Sequence, residues 1–279
     1  MKAVILCGGL ATRMLPISKC VPKEMMPILN RPLLEYLIDD LVLSGIKDVL
    51  IVTTRGKESI ENYFDCNVEI EQRLSQTGKT EMLETLKRIS EKCNIMFLRQ
   101  IHPLGTGHAL MRAKSFVGND NFIFLFGDEL LYNPQKGLTS QLLEKFNETH
   151  NSVISVKKCN IADCEKYGMI KFKNNTFEQI IEKPKPENAP SDVCYLGNSI
   201  FTPQIFDYIK IKEKGETHIV DAINAFAKHN KVEIKHIEGE RFDAGNKLGF
   251  VKANVFYGLQ DESIRGELIT FLKEMVEKN

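Results

Sequence analysis

Neither sign of charge is in excess in this chain: Lys+Arg and Asp+Glu each number 37 in 279 residues. That balance removes any global pull toward nucleic acid or an anionic membrane, so attraction for anions must be local. The seven cysteines, at positions 7, 20, 66, 93, 159, 164 and 194, form no CxxC pair and no Cys/His metal spacing. This excludes the usual zinc modules and reads as reduced thiols in a cytoplasmic protein. No apolar run nears the roughly 20 residues that span a bilayer. A basic stretch followed by a cleavage site is absent at the N-terminus, so no signal peptide is expected. Flexible Gly/Ser or Pro-rich linkers, internal repeats and low-complexity segments are missing too. So are GxxxxGK[ST] and GxGxxG, the latter because Leu10 stands where its second glycine belongs. Their absence counts against P-loop kinases and nicotinamide enzymes.

What is present alternates strand and helix over the first half. Ala3–Cys7, Val49–Thr53, Ile95–Leu98 and Phe122–Phe126 are apolar runs without alternation, as in parallel strands covered on both faces. Helical periodicity covers Leu33–Leu43, with Pro32 suited to its first turn and Gly45 to its end. Lys57–Phe64 and about Glu69–Ser90 also read as helical. The second half changes character. Ser152–Val156, Met169–Phe172, Phe177–Ile181 and Cys194–Phe201 are strand-like, with Asn174-Asn175 as a hairpin turn. A helix near Ile219–Lys228, a strand near Val232–Ile237 and two helices within 246–278 follow. The last, about Glu262–Glu277, is amphipathic, fit to pack on its own core or on a partner chain. The expected fold is α/β: a Rossmann-like, doubly wound mixed sheet with right-handed crossovers, a β-rich second half and C-terminal helices.

The chemistry gathers at strand ends. After the first strand, Gly8-Gly9 lets backbone approach a ligand, Arg13 can bridge phosphate oxygens, and Lys23 adds a compact charge. Asp128 follows the strand Phe122–Phe126; there it suits Mg²⁺ beside a polyphosphate and equally a helix N-cap. Glu129 beside it reads as solvated or structural. Gln100 offers both a donor and an acceptor to a base edge, and Gly105 and Gly107 leave room for a planar ring, though turn formation explains these residues as well. Glu182-Lys183-Pro184 could hold a sugar phosphate or be an exposed charged pair before a turn. Asp243 could cap a helix or supply a second metal carboxylate. Cys7 reads as a small buried apolar residue.

In order, these pieces resemble the sugar-1-phosphate nucleotidylyltransferase family, and most of all its bacterial uridylyl-transferring branch. The carriers are Arg13-Met-Leu-Pro-Ile-Ser-Lys-Cys-Val-Pro-Lys-Glu-Met-Met-Pro27, Pro103-Leu-Gly-Thr-Gly-His108 after Arg99-Gln100, and Ile181-Glu-Lys-Pro-Lys-Pro-Glu-Asn-Ala-Pro190. Gly215-Glu-Thr-His-Ile-Val-Asp-Ala-Ile223 and Phe242-Asp-Ala-Gly-Asn-Lys-Leu-Gly249 extend it over roughly residues 2–260. The resemblance implies one domain over 1–260, with a nucleotide-binding half at about 1–130 and a sugar-binding half at about 131–245, then C-terminal helices over 246–279. It implies Mg²⁺-dependent uridylyl transfer from UTP to glucose 1-phosphate. The alternatives are a dTTP- or CTP-using relative and a non-catalytic nucleotide-sugar sensor.

By the same resemblance Gly8, Gly9 and Leu10 lie against the nucleoside, Gln100 and Gly105 read the base, and Arg13 and Lys23 hold the triphosphate. Asp128 and Asp243 bind Mg²⁺. Gly168, Glu182, Lys183 and Gly197 hold the sugar phosphate, with His108 a further candidate. Arg13, Lys23, Asp128 and Lys183 carry catalysis by positioning and charge neutralisation. The partners are then two small anionic substrates and, through the last helix, other copies of the chain in a dimer or tetramer, with no nucleic acid and no membrane. Two positions depart from the family pattern: Ala11 stands where it has Gly, and Asn246 where it has Asp.

Overall fold

The computed structural model describes residues 1–278. Its first strand, β1 (Lys2–Leu6), has alternating side chains buried in two different cores: Ala3, Ile5 and Cys7 on one face, Val4 and Leu6 on the other. That is the physical meaning of an apolar run without alternation. A small hairpin, β2 (Pro27–Ile28) and β3 (Arg31–Pro32), leads into α1 (Leu33–Leu43). Pro32 stands one residue outside the expected first turn, as the N-cap with an extended ψ of 143°. Gly45, at φ 82°, ends α1 in the left-handed geometry that lets Ile46 N–H return to the Leu41 carbonyl.

β4 (Asp48–Thr53) and α2 (Glu58–Phe64) follow. The helix expected over Glu69–Ser90 is in fact two, α3 (Val68–Gln76) and α4 (Thr80–Ser90), because Gly78 takes φ 66° and reverses the chain. Both are amphipathic and neither buries a residue fully, so the apolar period runs on through the break. β5 (Asn94–Arg99), α5 (Thr106–Arg112), the single turn α6 (Lys114–Val117) and β6 (Phe122–Phe126) complete the first half.

The second half comprises β7 (Glu129–Tyr132), α7 (Leu138–Thr149), β8 (Ser152–Lys158), β9 (Gly168–Lys173), β10 (Thr176–Glu182) and β11 (Val193–Phe201). After them come α8 (Ile219–Phe226), β12 (Val232–His236), β13 (Glu240–Asp243), α9 (Lys247–Gln260) and α10 (Arg265–Glu277). Asn174 and Asn175, at φ 50° and 59°, form the expected turn between β9 and β10. α10 starts later than expected, because Asp261 Oδ1 accepts from Ser263 N–H and Oγ–H and holds that segment as a turn.

The sheet runs β10-β9-β11-β6-β1-β4-β5, with β8 joining β11 to β12. β6, β1, β4 and β5 are parallel, whereas β11 pairs antiparallel with β6, β8 and β9. Chain order leaves β1 toward β4 on one side and returns to β6 on the other. The carboxyl ends of β1 and β6 therefore flank a topological switch point, where open α/β sheets bind ligands. β7 and β13 form a separate antiparallel pair that puts Asp243 opposite Glu129. No helix among the described residues is long and apolar enough to cross a membrane.

Candidate active site

The loop leaving β1 is kept close to its neighbours by two glycines. A Cβ on Gly8 would come within 3.0 Å of Gln100 Oε1, and one on Gly9 within 3.7 Å of Lys23 Nζ. Ala11 takes φ 52° and ψ 40°, a left-handed conformation that costs an alanine about 1–2 kcal/mol. Its carbonyl accepts from Met14 N–H at 2.9 Å and Ser18 Oγ–H at 2.8 Å, which closes the following turn. The loop walls a cavity of about 440 Å³, shared with Gln100, Gly105, Phe126 and Glu216, in the range of small-molecule sites.

Beside the cavity two ion pairs converge. Lys23 Nζ lies 2.6 Å from Asp128 Oδ2, and Arg13 Nη1 lies 3.2 Å from Asp243 Oδ2. A Cβ on Gly245 would meet Asp128 Oδ2 at 2.5 Å, Asp243 Oδ1 at 3.1 Å and Arg13 Nη2 at 3.2 Å. Carboxylates from positions 128 and 243 thus share one small space. Asp128 is followed by β7, not by a helix, so it caps nothing. The cap of α9 is Asn246, whose Oδ1 accepts from Gly249 N–H at 3.0 Å and whose amide donates to the Asp243 carbonyl at 2.9 Å. Asn and Asp cap a helix about equally, but only Asn can also donate to that carbonyl, so Asn246 keeps the cap and adds a bond. Burial works against the Lys23 charge, but Asp128 and Glu24 outweigh it and hold its pKa above the ordinary lysine value.

Sequence reasoning missed the layer beneath. Glu24 is fully buried, and Lys57 donates to both of its oxygens at 2.9 and 2.8 Å. Burial raises the Glu24 pKa although Lys57 and Lys23 oppose it. Charges therefore alternate through the protein, Lys57, Glu24, Lys23, Asp128. A side chain on Gly127 would strike Cys7 Sγ at 2.7 Å and Glu24 Cγ at 2.8 Å, so that glycine lets the layers close. Cys7 is wholly buried, and burial, then Glu24, pushes its thiol pKa well up, the opposite of a nucleophile's need. Glu129, which read as solvated or structural, is structural: Arg241 grips it at 2.8 and 2.6 Å and stacks 4.7 Å over the Tyr167 ring. Burial, with Asp128 and Asp243 nearby, pushes the Glu129 carboxyl up against the pull of Arg241.

Gln100 is 4% exposed and donates from Nε2 to the Gly105 carbonyl at 3.0 Å and toward His108 Nδ1 at 2.9 Å. His108 thus contacts Gln100, and among the described residues no hydrogen bond or ion pair joins it to Glu182 or Lys183. On the other side, Glu182 pairs with Gly168 across β10 and β9, where a Cβ on Gly168 would sit 2.8 Å from Glu182 Oε2. Lys183 follows at φ 47°, its N–H bonded to the Tyr167 carbonyl at 3.0 Å and its ammonium in no ion pair among the described residues. Gly197, at φ 91° in a register shift of β11, makes room for the Phe126 ring, which lines the cavity.

No group of three or more His, Cys, Asp and Glu side chains forms a metal cage among the described residues. Two convergent carboxylates, each neutralised by one cation, fit an ion that takes its other ligands from phosphates and water.

The nucleotidyl transferase family model matches residues 2–259. The UTP–glucose-1-phosphate uridylyltransferase of Bacillus subtilis is 36% identical, over 99% of this chain and 97% of its own length. "UTP–glucose-1-phosphate uridylyltransferase 2" of Staphylococcus saprophyticus is 39% identical over 98% and 97%. Among solved structures, the UTP-bound UGPase from Acinetobacter baumannii superposes with a TM-score of 0.91 at 33% identity, covering 98% of each chain. A UDP-glucose pyrophosphorylase complexed with UDP-glucose gives 0.82 at 29% identity, over 93% of this chain and 99% of that one.

Proposed function

The chain belongs to the nucleotidyl transferase family, and from that premise we propose that it transfers a uridylyl group from UTP to glucose 1-phosphate, giving UDP-glucose and pyrophosphate. The observation that carries this is the convergence of Arg13, Lys23, Asp128 and Asp243 beside a nucleoside-sized cavity at the switch point. Likeness over nearly the whole chain to uridylyltransferases supports the choice of substrates.

A phosphate oxygen of glucose 1-phosphate attacks the α-phosphorus of UTP in line. The new O–P bond forms as the bond to the β-phosphate oxygen breaks, and the electron pair leaves with pyrophosphate. The attacking oxygen is already anionic, so neither a protein nucleophile nor a general base is required. Work falls to positioning and charge neutralisation. Gly8, Gly9, Leu10, Gln100 and Gly105 seat the nucleoside; Arg13 and Lys23 take the triphosphate; Gly168, Glu182, Lys183 and Gly197 take the sugar phosphate. Asp128 and Asp243 would hold Mg²⁺, which supplies further neutralisation of the phosphates when bound.

Residues 1–260 act as one domain, with the nucleotide handled by about 1–130 and the sugar by about 131–245. The protein works in the cytoplasm as a homo-oligomer, a reading supported by its seven free cysteines and by Phe271 and Val276 exposed on α10. The test is pyrophosphate release with Mg²⁺ across UTP, dTTP, CTP and ATP and several sugar 1-phosphates. UTP with glucose 1-phosphate should lead; silence across the set would overturn the enzyme reading.

A further inference from the structure

The contacts of Gln100 determine more than its position. A carbonyl oxygen only accepts, so the atom of Gln100 that lies 3.0 Å from the Gly105 carbonyl is the amide nitrogen. That nitrogen is also 2.9 Å from His108 Nδ1. An amide nitrogen only donates, so Nδ1 must accept, and the imidazole proton sits on Nε2. Both N–H groups of Gln100 are thereby used. Its Oε1 accepts no hydrogen bond from the described residues and faces the bare Gly8 Cα on the wall of the cavity.

The geometry points to His108 as a positioning residue for base choice: it holds the Gln100 amide so that the cavity presents an acceptor and no donor. An acceptor there takes the N3–H of uracil or thymine. It rejects cytosine, whose N3 carries a lone pair in the same place. Turned by half a rotation, the Gln100 amide would offer a donor to cytosine, but its oxygen would then face the lone pairs of the Gly105 carbonyl, and His108 would have to move its proton from Nε2 to Nδ1 to meet it. Selectivity thus comes from blocking the alternative as much as from the bond made. The inference rests on the reading above that Gln100 faces the base. His108 acts through Gln100 and touches no reacting atom.

The test compares His108→Leu, which fills similar space without an acceptor, with His108→Asn, whose Oδ1 can stand in for Nδ1. For each, kcat and KM are measured with UTP and with CTP at saturating glucose 1-phosphate, alongside Gln100→Ala. His108→Leu should lower the preference for UTP over CTP about tenfold, the upper range for one hydrogen bond, mainly through KM for UTP. His108→Asn should keep the preference within about threefold. If His108→Leu does not fold, retention by His108→Asn still supports the assignment, and loss of preference in that variant overturns it. Unchanged preference in His108→Leu, with preference lost in Gln100→Ala, overturns the role of His108 and leaves Gln100 at the base. Unchanged KM for UTP and unchanged preference in Gln100→Ala overturns both. A fall in kcat alike for both nucleotides, with preference intact, places His108 elsewhere in the site.

Discussion

The two sides of the site that the proposed function gives to the nucleotide and to the sugar are built in opposite ways. Around the loop after β1 the two cations proposed to take the triphosphate, Arg13 and Lys23, already lie against carboxylates, and Lys23 rests on a second, buried pair. Around β9 and β10, Glu182 and Lys183 are exposed, and the Lys183 ammonium has no carboxylate among the described residues. The first region is parallel strand ends covered by helices; the second is an antiparallel hairpin, buried at Met169, Ile170 and Ile180, whose far end at Glu182 and Lys183 is exposed. Electrostatic groups fixed in advance cost no reorganisation when charge develops. On the proposed function, the nucleotide meets an organised surface, whereas the sugar phosphate must organise the end of β10 itself.

The contrast can be broken at several points. Lys23→Ala should do most damage, lowering kcat/KM by about 10²–10³-fold, the usual loss for one preorganised electrostatic group. Steady-state kinetics with UTP varied measures it, and a loss below tenfold would mean that this pair does not organise the nucleotide side. Lys183→Ala should cut turnover by about 10²-fold, at the low end of that range, while calorimetry still detects UTP binding. Disappearance of UTP binding would move Lys183 to the nucleotide.

Smaller effects sharpen the comparison. Burial, with Arg112 and His102 nearby, holds the His108 pKa below the ordinary histidine value. The neutral ring therefore persists in the folded protein at neutral pH, and its Nδ1 acceptor is lost as pH falls through that lowered pKa. KM for UTP should then rise by up to about tenfold on the acid side. KM for glucose 1-phosphate should lack this component. The ratio of wild type to His108→Asn cancels the titration of UTP itself; a flat ratio would remove the histidine from the nucleotide side. Smallest is Ala11→Gly. Relief of the left-handed strain, less the entropy that glycine adds to the unfolded chain, should leave a net gain under about 1 kcal/mol, read as a slightly raised Tm.

Much of the scaffold was legible from local pattern. The buried strands, the left-handed Gly45 and the Asn174-Asn175 turn each announce themselves within a few residues. Loops at the ends of apolar runs were legible for the same reason, so Gly8, Gln100 and Asp128 could be picked out before their neighbours were known. What joins them was not. Asp243 reaches Asp128 only because β7 and β13, four residues each and more than a hundred apart, pair across the fold. Glu24 with Lys57 and Glu129 with Arg241 are likewise long-range pairs of charged residues, which composition assigns to the surface. Gly78 was missed because the amphipathic period of α3 continues into α4 across it.

The buried Glu24–Lys57 pair also constrains how this sequence can drift. Removing either partner strands a charge in the protein interior at a cost of about 3–5 kcal/mol, a large share of what holds a domain together. Replacing both with apolar residues of similar volume is often nearly neutral. Two acceptable sequences are thus separated by a single-step intermediate that folds poorly. Positions 24 and 57 are therefore expected to change together or stay as they are, and they keep the Lys23 turn tied to the start of α2 across lineages.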